Sequence, residues 1–250
     1  MAVYAHGVCG TIGGGHLEWQ ALAKAQAWLL QGMPGAAMTE RLALGPALGQ
    51  CCGGAVQLRW SALTQAQWPQ VQVRLQPART PVALFGAGHV GQALVRVLAP
   101  LPFTVQWFDS REAAFPSDVG HARVHMEHSQ PVQAAVPDIA PQALVLVMSF
   151  SHTEDLDIVT ACLRRQRVHG DLPFIGLIGS ATKWALFQRR LQERGFGASE
   201  VARITCPIGM PGIDGKEPEV IAVAVAAQLL QQRALQMAQC AEPQGLDAAQ

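Results

Sequence analysis

The stretch PVALFGAGHVGQALVRVL, Pro81 to Leu98, decides the fold. An apolar run of strand length ends at Gly86, Gly86, Gly88 and Gly91 follow in the order G-x-G-x-x-G, and apolar residues then recur at helical spacing. In a strand–turn–helix unit the first glycine allows the tight turn, the second lets a phosphate approach the backbone, and the third lets helix and strand pack closely. Asp109 ends the next apolar stretch, TVQWFD, about 20 residues further on, where a carboxylate accepts hydrogen bonds from a ribose. The simpler reading is a tight turn with Asp109 as a local cap. Arg111 reads as a solvated surface charge in preference to a 2′-phosphate ligand.

Outward from this unit the same alternation continues. The apolar runs ARVHME, ALVLVMS, FIGLIG and RITCPIG are separated by helical patterns through LDIVTACLRR and KWALFQRRL, and a last helix runs through VIAVAVAAQLLQQ. Strands that are apolar throughout, with helices between them, predict a parallel sheet covered on both faces. The fold class is therefore α/β: a Rossmann-like parallel sheet domain over 80–235, preceded by a smaller α+β domain over 1–76, with 236–250 as a loose tail. QPARTP, with two prolines, reads as the linker, and the first domain ends in two strand patterns, AVQLRW and VQVRLQP.

In an open parallel sheet, ligands bind outside the carboxyl ends of the strands. Ser149, Ser151, His152, Asp155, Gly179, Ser180, Lys183 and Cys206 all fall at such ends and form one candidate site with the glycine loop. Each also has a plain structural role: Ser151 and Ser180 as helix caps, Lys183 as a first-turn surface residue. A second glycine run, Gly13, Gly14 and Gly15, opens onto a helix at WQALAKAQAWLLQ and offers backbone N–H groups to an anion. Cys51 and Cys52 stand side by side before Gly53, an arrangement unsuited to a mutual disulfide or to zinc. Cys162 reads as a packing residue.

Lys plus Arg and Asp plus Glu are both 18, and no basic run exists to neutralise a polynucleotide. The amino terminus lacks the features of a signal peptide, and no apolar window approaches membrane length, so a cytoplasmic protein without membrane or nucleic-acid partners is expected. The 50 % apolar content suits subunit contacts, and a homodimer is expected.

Five blocks, GTIGGGHLEWQAL, LGPALGQCCGG, LFGAGHVGQALVRVL, FIGLIGSATKWALFQRRL and CPIGMPGIDGKEPEVIAVAVAAQLL, together resemble the XdhC/CoxI family across nearly the whole chain. The resemblance implies a chaperone for the molybdenum cofactor (molybdopterin). Such a protein binds the cofactor, shields it while a cysteine desulfurase supplies sulfur, and delivers it to xanthine dehydrogenase, without being a turnover enzyme. On that footing Gly13–Gly15 or Gly86–Gly91 cradles the cofactor phosphate, and Cys51 or Cys52 faces the molybdenum or relays sulfur as a persulfide. Family members carry a further helix and strand ahead of the GTIGGG loop, so the first domain is expected to be short at its start. The competing readings are an NAD(P)-dependent oxidoreductase with His152 or Lys183 as proton donor, and a module that senses a nucleotide.

Overall fold

The computed structural model describes residues 1–32, 37–44, 54–75 and 78–241. The chain forms two compact units, Met1–Pro77 and Ala78–Gln250.

The first unit contains a hairpin of β1 (Ala2–Tyr4) and β2 (Gly7–Cys9), a helix α1 (Gly15–Leu30), and an antiparallel pair of β3 (Ala37–Leu44) and β4 (Gly54–Ser61). Helix α2 (Trp68–Leu75) follows a single 3-10 turn at Gln65–Gln67. The helix corrects the expectation of a strand at VQVRLQP. The alternation there is real, but the residues ahead of it build a helix start. The backbone N–H of Thr64 donates to Gln67 Oε1 at 3.0 Å, and Pro69 lies in the first turn, where its missing N–H costs nothing. Strand β3 carries no strand signal of its own, because MTERLAL mixes charges among its apolar residues. It is held by its eight-residue register with β4.

The second unit is a six-stranded parallel sheet in the order β10-β9-β8-β5-β6-β7. Its strands are β5 (Thr80–Phe85), β6 (Phe103–Asp109), β7 (Val124–His128), β8 (Leu144–Val147), β9 (Phe174–Leu177) and β10 (Ile204–Thr205). Between them run α3 (His89–Leu98), α4 (His152–His169), α5 (Ala181–Glu193) and the short α6 (Ala198–Val201), and α7 (Pro218–Ala241) follows β10. Alternate strand residues feed opposite faces. Ala83, Phe85, Val145 and Val147 join one core with Ile158, Leu163 and Phe187 of α4 and α5. Val82, Leu84, Leu144 and Leu146 join the other with Leu94 and Leu98 of α3 and Val225 and Leu229 of α7. Burial on both faces is why these strands read as unbroken apolar runs. Helix α7 passes the expected end near 235 and reaches Ala241, since ALQMAQCA contains neither glycine nor proline. No helix among the described residues is long and apolar enough to cross a membrane.

The chain leaves β5 in one direction through β6 and β7, then returns to β8 on the other side. The carboxyl ends of β5 and β8 thus flank the point where strand order reverses, the place where such sheets open a crevice.

Candidate functional site

The glycine loop sits at that crevice. Gly86 has φ +120°, and a Cβ there would lie 2.1 Å from the carbonyl oxygen of Met148. A Cβ on Gly91 would lie 2.1 Å from the Gly86 carbonyl oxygen, which also accepts the indole N–H of Trp107 at 2.9 Å. These two glycines are therefore fixed by backbone approach. Gly88 differs: it is the N-cap of α3 without a side-chain cap bond, and nothing lies within 4 Å of where its Cβ would be. Gly88 is exposed, so its open side faces solvent.

Asp109 closes the next strand and is 3 % exposed. Its Oδ2 accepts the backbone N–H of Ala87 at 2.6 Å and Arg111 Nη2 at 3.0 Å, and its Oδ1 accepts the backbone N–H and Nε of Arg111, both at 2.9 Å. A carboxylate has about four lone-pair sites, so none is left for a ribose. In this structure all of them are taken within the chain, by Ala87 and Arg111. Arg111 is likewise not a freely solvated charge, because its guanidinium is paired with Asp109 and lies 4.7 Å from the ring centre of Phe150. Burial alone would push the Asp109 carboxyl up, but the bonds from Arg111 and Ala87 hold it below the usual carboxylate range.

At the ends of β8, β9 and β10 a second group converges. Asp155 Oδ1 accepts the N–H and the hydroxyl of Ser149 at 2.9 and 2.7 Å. Its Oδ2 takes Lys183 Nζ at 2.6 Å, and the same ammonium donates to the Ile178 carbonyl at 2.7 Å. Both partners are buried, with 9 % and 2 % of the Lys183 and Asp155 side chains exposed. The sulfur of Cys206 lies beside Gly179, and burial pushes its thiol up despite the nearby lysine. Lys183, Ser149, Asp155, Gly179 and Cys206 are thus brought together, which places Lys183 inside the site and not on the surface. As a proton donor Lys183 is constrained, since two of its three protons are already bonded. Asp155 is the residue the sequence undervalued; its signal is an acid in the first turn after a serine cap, directly before Leu156.

Ser151 and Ser180 accept the backbone N–H groups of Glu154 and Lys183, so both hydroxyls serve as helix caps. His152 is exposed at the start of α4 and meets the ring of Phe187 edge-on at 6.3 Å. Cys162 is fully buried in the core, and burial pushes its thiol up to about 12.

In the first unit Gly13, Gly14 and Gly15 all have positive φ, as a loop folding back on itself requires. The space they enclose holds the chain's own carboxylate. Glu18 Oε2 accepts the N–H groups of Ile12 and Gly14 at 2.8 and 3.0 Å and also bonds the Thr11 hydroxyl, while Gly13 N–H donates to Thr11 Oγ1 at 3.0 Å. The bonds from Thr11, Ile12 and Gly14 hold the Glu18 carboxyl below its usual range. The expected nest for an external anion is therefore filled internally. A cavity of about 710 Å³ in the same unit is walled by Trp28, Trp60, Trp68 and Leu58, with Cys9 at its lining. Cys51 and Cys52 lie outside the described residues.

Comparison with known proteins gives consistent matches along the chain. Residues 82–229 match the model of the XdhC Rossmann domain, and residues 1–42 match that of the XdhC and CoxI family. The uncharacterized protein YqeB of Escherichia coli K12 is 28 % identical over 235 residues, covering 92 % of this chain and 40 % of that protein. The crystal structure of a xanthine dehydrogenase from Bacillus halodurans is similar with a TM-score of 0.53 and 20 % identity, covering 90 % of this chain and 66 % of that one. At that identity the likeness is one of fold. This chain spans less than half the length of YqeB and just under two thirds of the B. halodurans chain. With the Rossmann match alone covering more than half of its residues, the chain belongs to the XdhC and CoxI family.

Proposed function

We propose that this protein serves the maturation of a xanthine dehydrogenase as a carrier of the molybdenum cofactor. It holds the cofactor while a cysteine desulfurase provides sulfur, then hands it on, and it is not itself a turnover enzyme. The observation that carries the reading is the family match over 82–229, which spans both the glycine loop and the Asp155–Lys183 group. Of the two glycine loops, the one at Gly88 is the better cradle for the cofactor phosphate. Its open side is unobstructed, whereas the Gly13–Gly15 loop would first have to expel Glu18. Lys183, its charge paired with Asp155, stands at the neighbouring strand ends. Cys51 and Cys52 offer soft thiolates to molybdenum, a donor type suited to that metal. A homodimer is part of the same proposal.

The test is to purify the chain from cells that make the cofactor and to measure bound pterin and molybdenum. Stoichiometric retention is expected, lost in Gly88→Val and reduced in Cys51→Ala or Cys52→Ala. A chain that retains no pterin, or a xanthine dehydrogenase that reaches full molybdenum and sulfido content without it, overturns the proposal.

A further inference from the structure

The sheet of the second unit has one long open edge. β7 pairs with β6, and no strand among the described residues pairs with its other side. Val124 is half-buried there, and His125, Met126, Glu127 and His128 are exposed. The opposite edge strand, β10, has only two residues and offers little to pair with. Proteins commonly blunt an open edge with lysine or proline, and VHMEH contains neither.

The hydrogen bonds fix which backbone groups face out. The Val105 N–H donates to the Arg123 carbonyl at 2.9 Å, and the Ser129 N–H donates to the Asp109 carbonyl at 3.1 Å. In a parallel ladder the bonds to one neighbour fall on alternate residues, so Arg123, His125, Glu127 and Ser129 turn their backbone groups to β6. Those of Val124, Met126 and His128 turn outward. Among them the Val124 N–H is already used, donating to the His121 carbonyl at 2.9 Å.

We infer that β7 pairs antiparallel with β7 of a second copy of this chain, about a two-fold axis at Met126. This interface rests on the homodimer of the preceding section and not on the carrier role. A two-fold contact requires that where one residue meets another, the second also meets the first, and β7 is its own complement in that sense. Met126 stands opposite the partner's Met126, each N–H donating to the other carbonyl, and the His128 N–H donates to the open carbonyl of the partner's Val124. His125 stands opposite the partner's Glu127, so an imidazole N–H faces a carboxylate on both sides of the axis. These two pairs have the closer cross-strand spacing, where opposite charges interact best. On the other face Met126, 38 % exposed, is covered by its own copy. The His128 ring stays with its own chain, donating through Nε2 to the Ser110 carbonyl at 3.0 Å. The neighbouring registers that keep the outward groups paired set His125 against the partner's His125, or Glu127 against the partner's Glu127, and like charges oppose both.

The experiment weighs the full-length chain in solution by light scattering over a range of concentrations. The wild type should be a dimer. Met126→Pro removes an outward N–H and leaves the ladder to β6 intact, so it should weaken dimerisation about tenfold or more. His125→Glu sets a carboxylate against the partner's Glu127, and Glu127→Lys sets an ammonium against the partner's His125; each should weaken it about threefold or more. Mixed one to one, these two charge variants should dimerise as the wild type does, because every cross-strand pair then joins opposite signs. A monomeric wild type overturns this interface and the homodimer together. A dimer that the three variants leave unchanged, or a mixture that does not restore dimers, overturns the interface alone. If circular dichroism shows that Met126→Pro does not fold, the two exposed charge variants and their mixture decide. Pterin retention by the same variants reports separately on the carrier role.

Discussion

Asp155 and Lys183 lie 28 positions apart in sequence, yet each supplies what the other needs: a buried anion and a buried cation 2.6 Å apart. Removing one partner leaves the other charge desolvated. Lys183→Met or Asp155→Ala alone is expected to cost about 3–5 kcal/mol, read as a lowered urea midpoint. The double variant Lys183→Met with Asp155→Leu should recover a good part of that loss; additive losses would show that the two side chains are not coupled. Thiol chemistry divides just as sharply. Cys9 is exposed and should react with a thiol reagent in the native protein, while Cys162, held as a neutral thiol in the core, should react only after unfolding. At this scale the sequence was half legible. Lys183, Ser180 and Asp109 stand at strand ends or at a known offset from the glycines, so their positions could be read. What they touch could not, because Asp155 with Lys183, and Arg111 across Asp109 onto Phe150, are pairings made by side-chain direction after the sheet has formed.

The glycine loop shows how one element divides its work. Gly91→Ala would force a methyl group against the Gly86 carbonyl and is expected to destabilise by at least about 1–3 kcal/mol. Gly88→Ala meets open space, and its cost should stay near the 1 kcal/mol of a weaker helix cap. Thermal melting of the two variants checks the order, and a Gly88→Ala loss as large as that of Gly91→Ala would mean that the crevice is closed. Helices α3, α4 and α5 and the strands of the second unit were legible because period and caps agree. In α2 they conflict. The alternation of Val71 and Val73 points to a strand, while Thr64, Gln67 and Pro69 start a helix, and the start signal wins because no strand among the described residues pairs with the segment. The Gly13–Gly15 loop was legible as an anion nest, but not as one whose anion is Glu18, since a first-turn acid looks the same in sequence whether it faces solvent or folds back.

For the whole molecule the two units differ in how they are held. The second has two cores, one on each face of its sheet. Among the described residues of the first, the buried apolar ones are Ala2, Ala21, Ala25 and Trp28. A fragment of residues 78–241 is expected to melt cooperatively by itself, and a fragment of 1–77 to lack a cooperative transition; circular dichroism of both decides. Acid should destabilise the protein in a defined range. Asp109, Asp171 and Glu200 are all held below their ordinary values, Glu200 at about 2 by the Arg167 guanidinium and the Gly197 N–H. The unfolded chain therefore takes up these protons at higher pH than the folded one. The stability they contribute is whole above their ordinary values of 3.8 and 4.5 and is lost as pH falls toward 2, which urea midpoints across that range would show.

The strand order has a consequence for how the protein is made. β5 lies at the middle of the finished sheet, paired with β6 on one side and β8 on the other. Its first partner is synthesised soon after it, but its second, Leu144–Val147, follows Phe85 by about 60 residues, or some 3–12 s at ordinary ribosomal rates. Through that interval one side of an apolar strand, VALF, has its hydrogen-bonding groups bare, and its side chains await α4, α5 and α7. A central strand of the mature sheet thus stays open on one side during synthesis, so a period of aggregation risk falls on the ribosome, before β8 has been made.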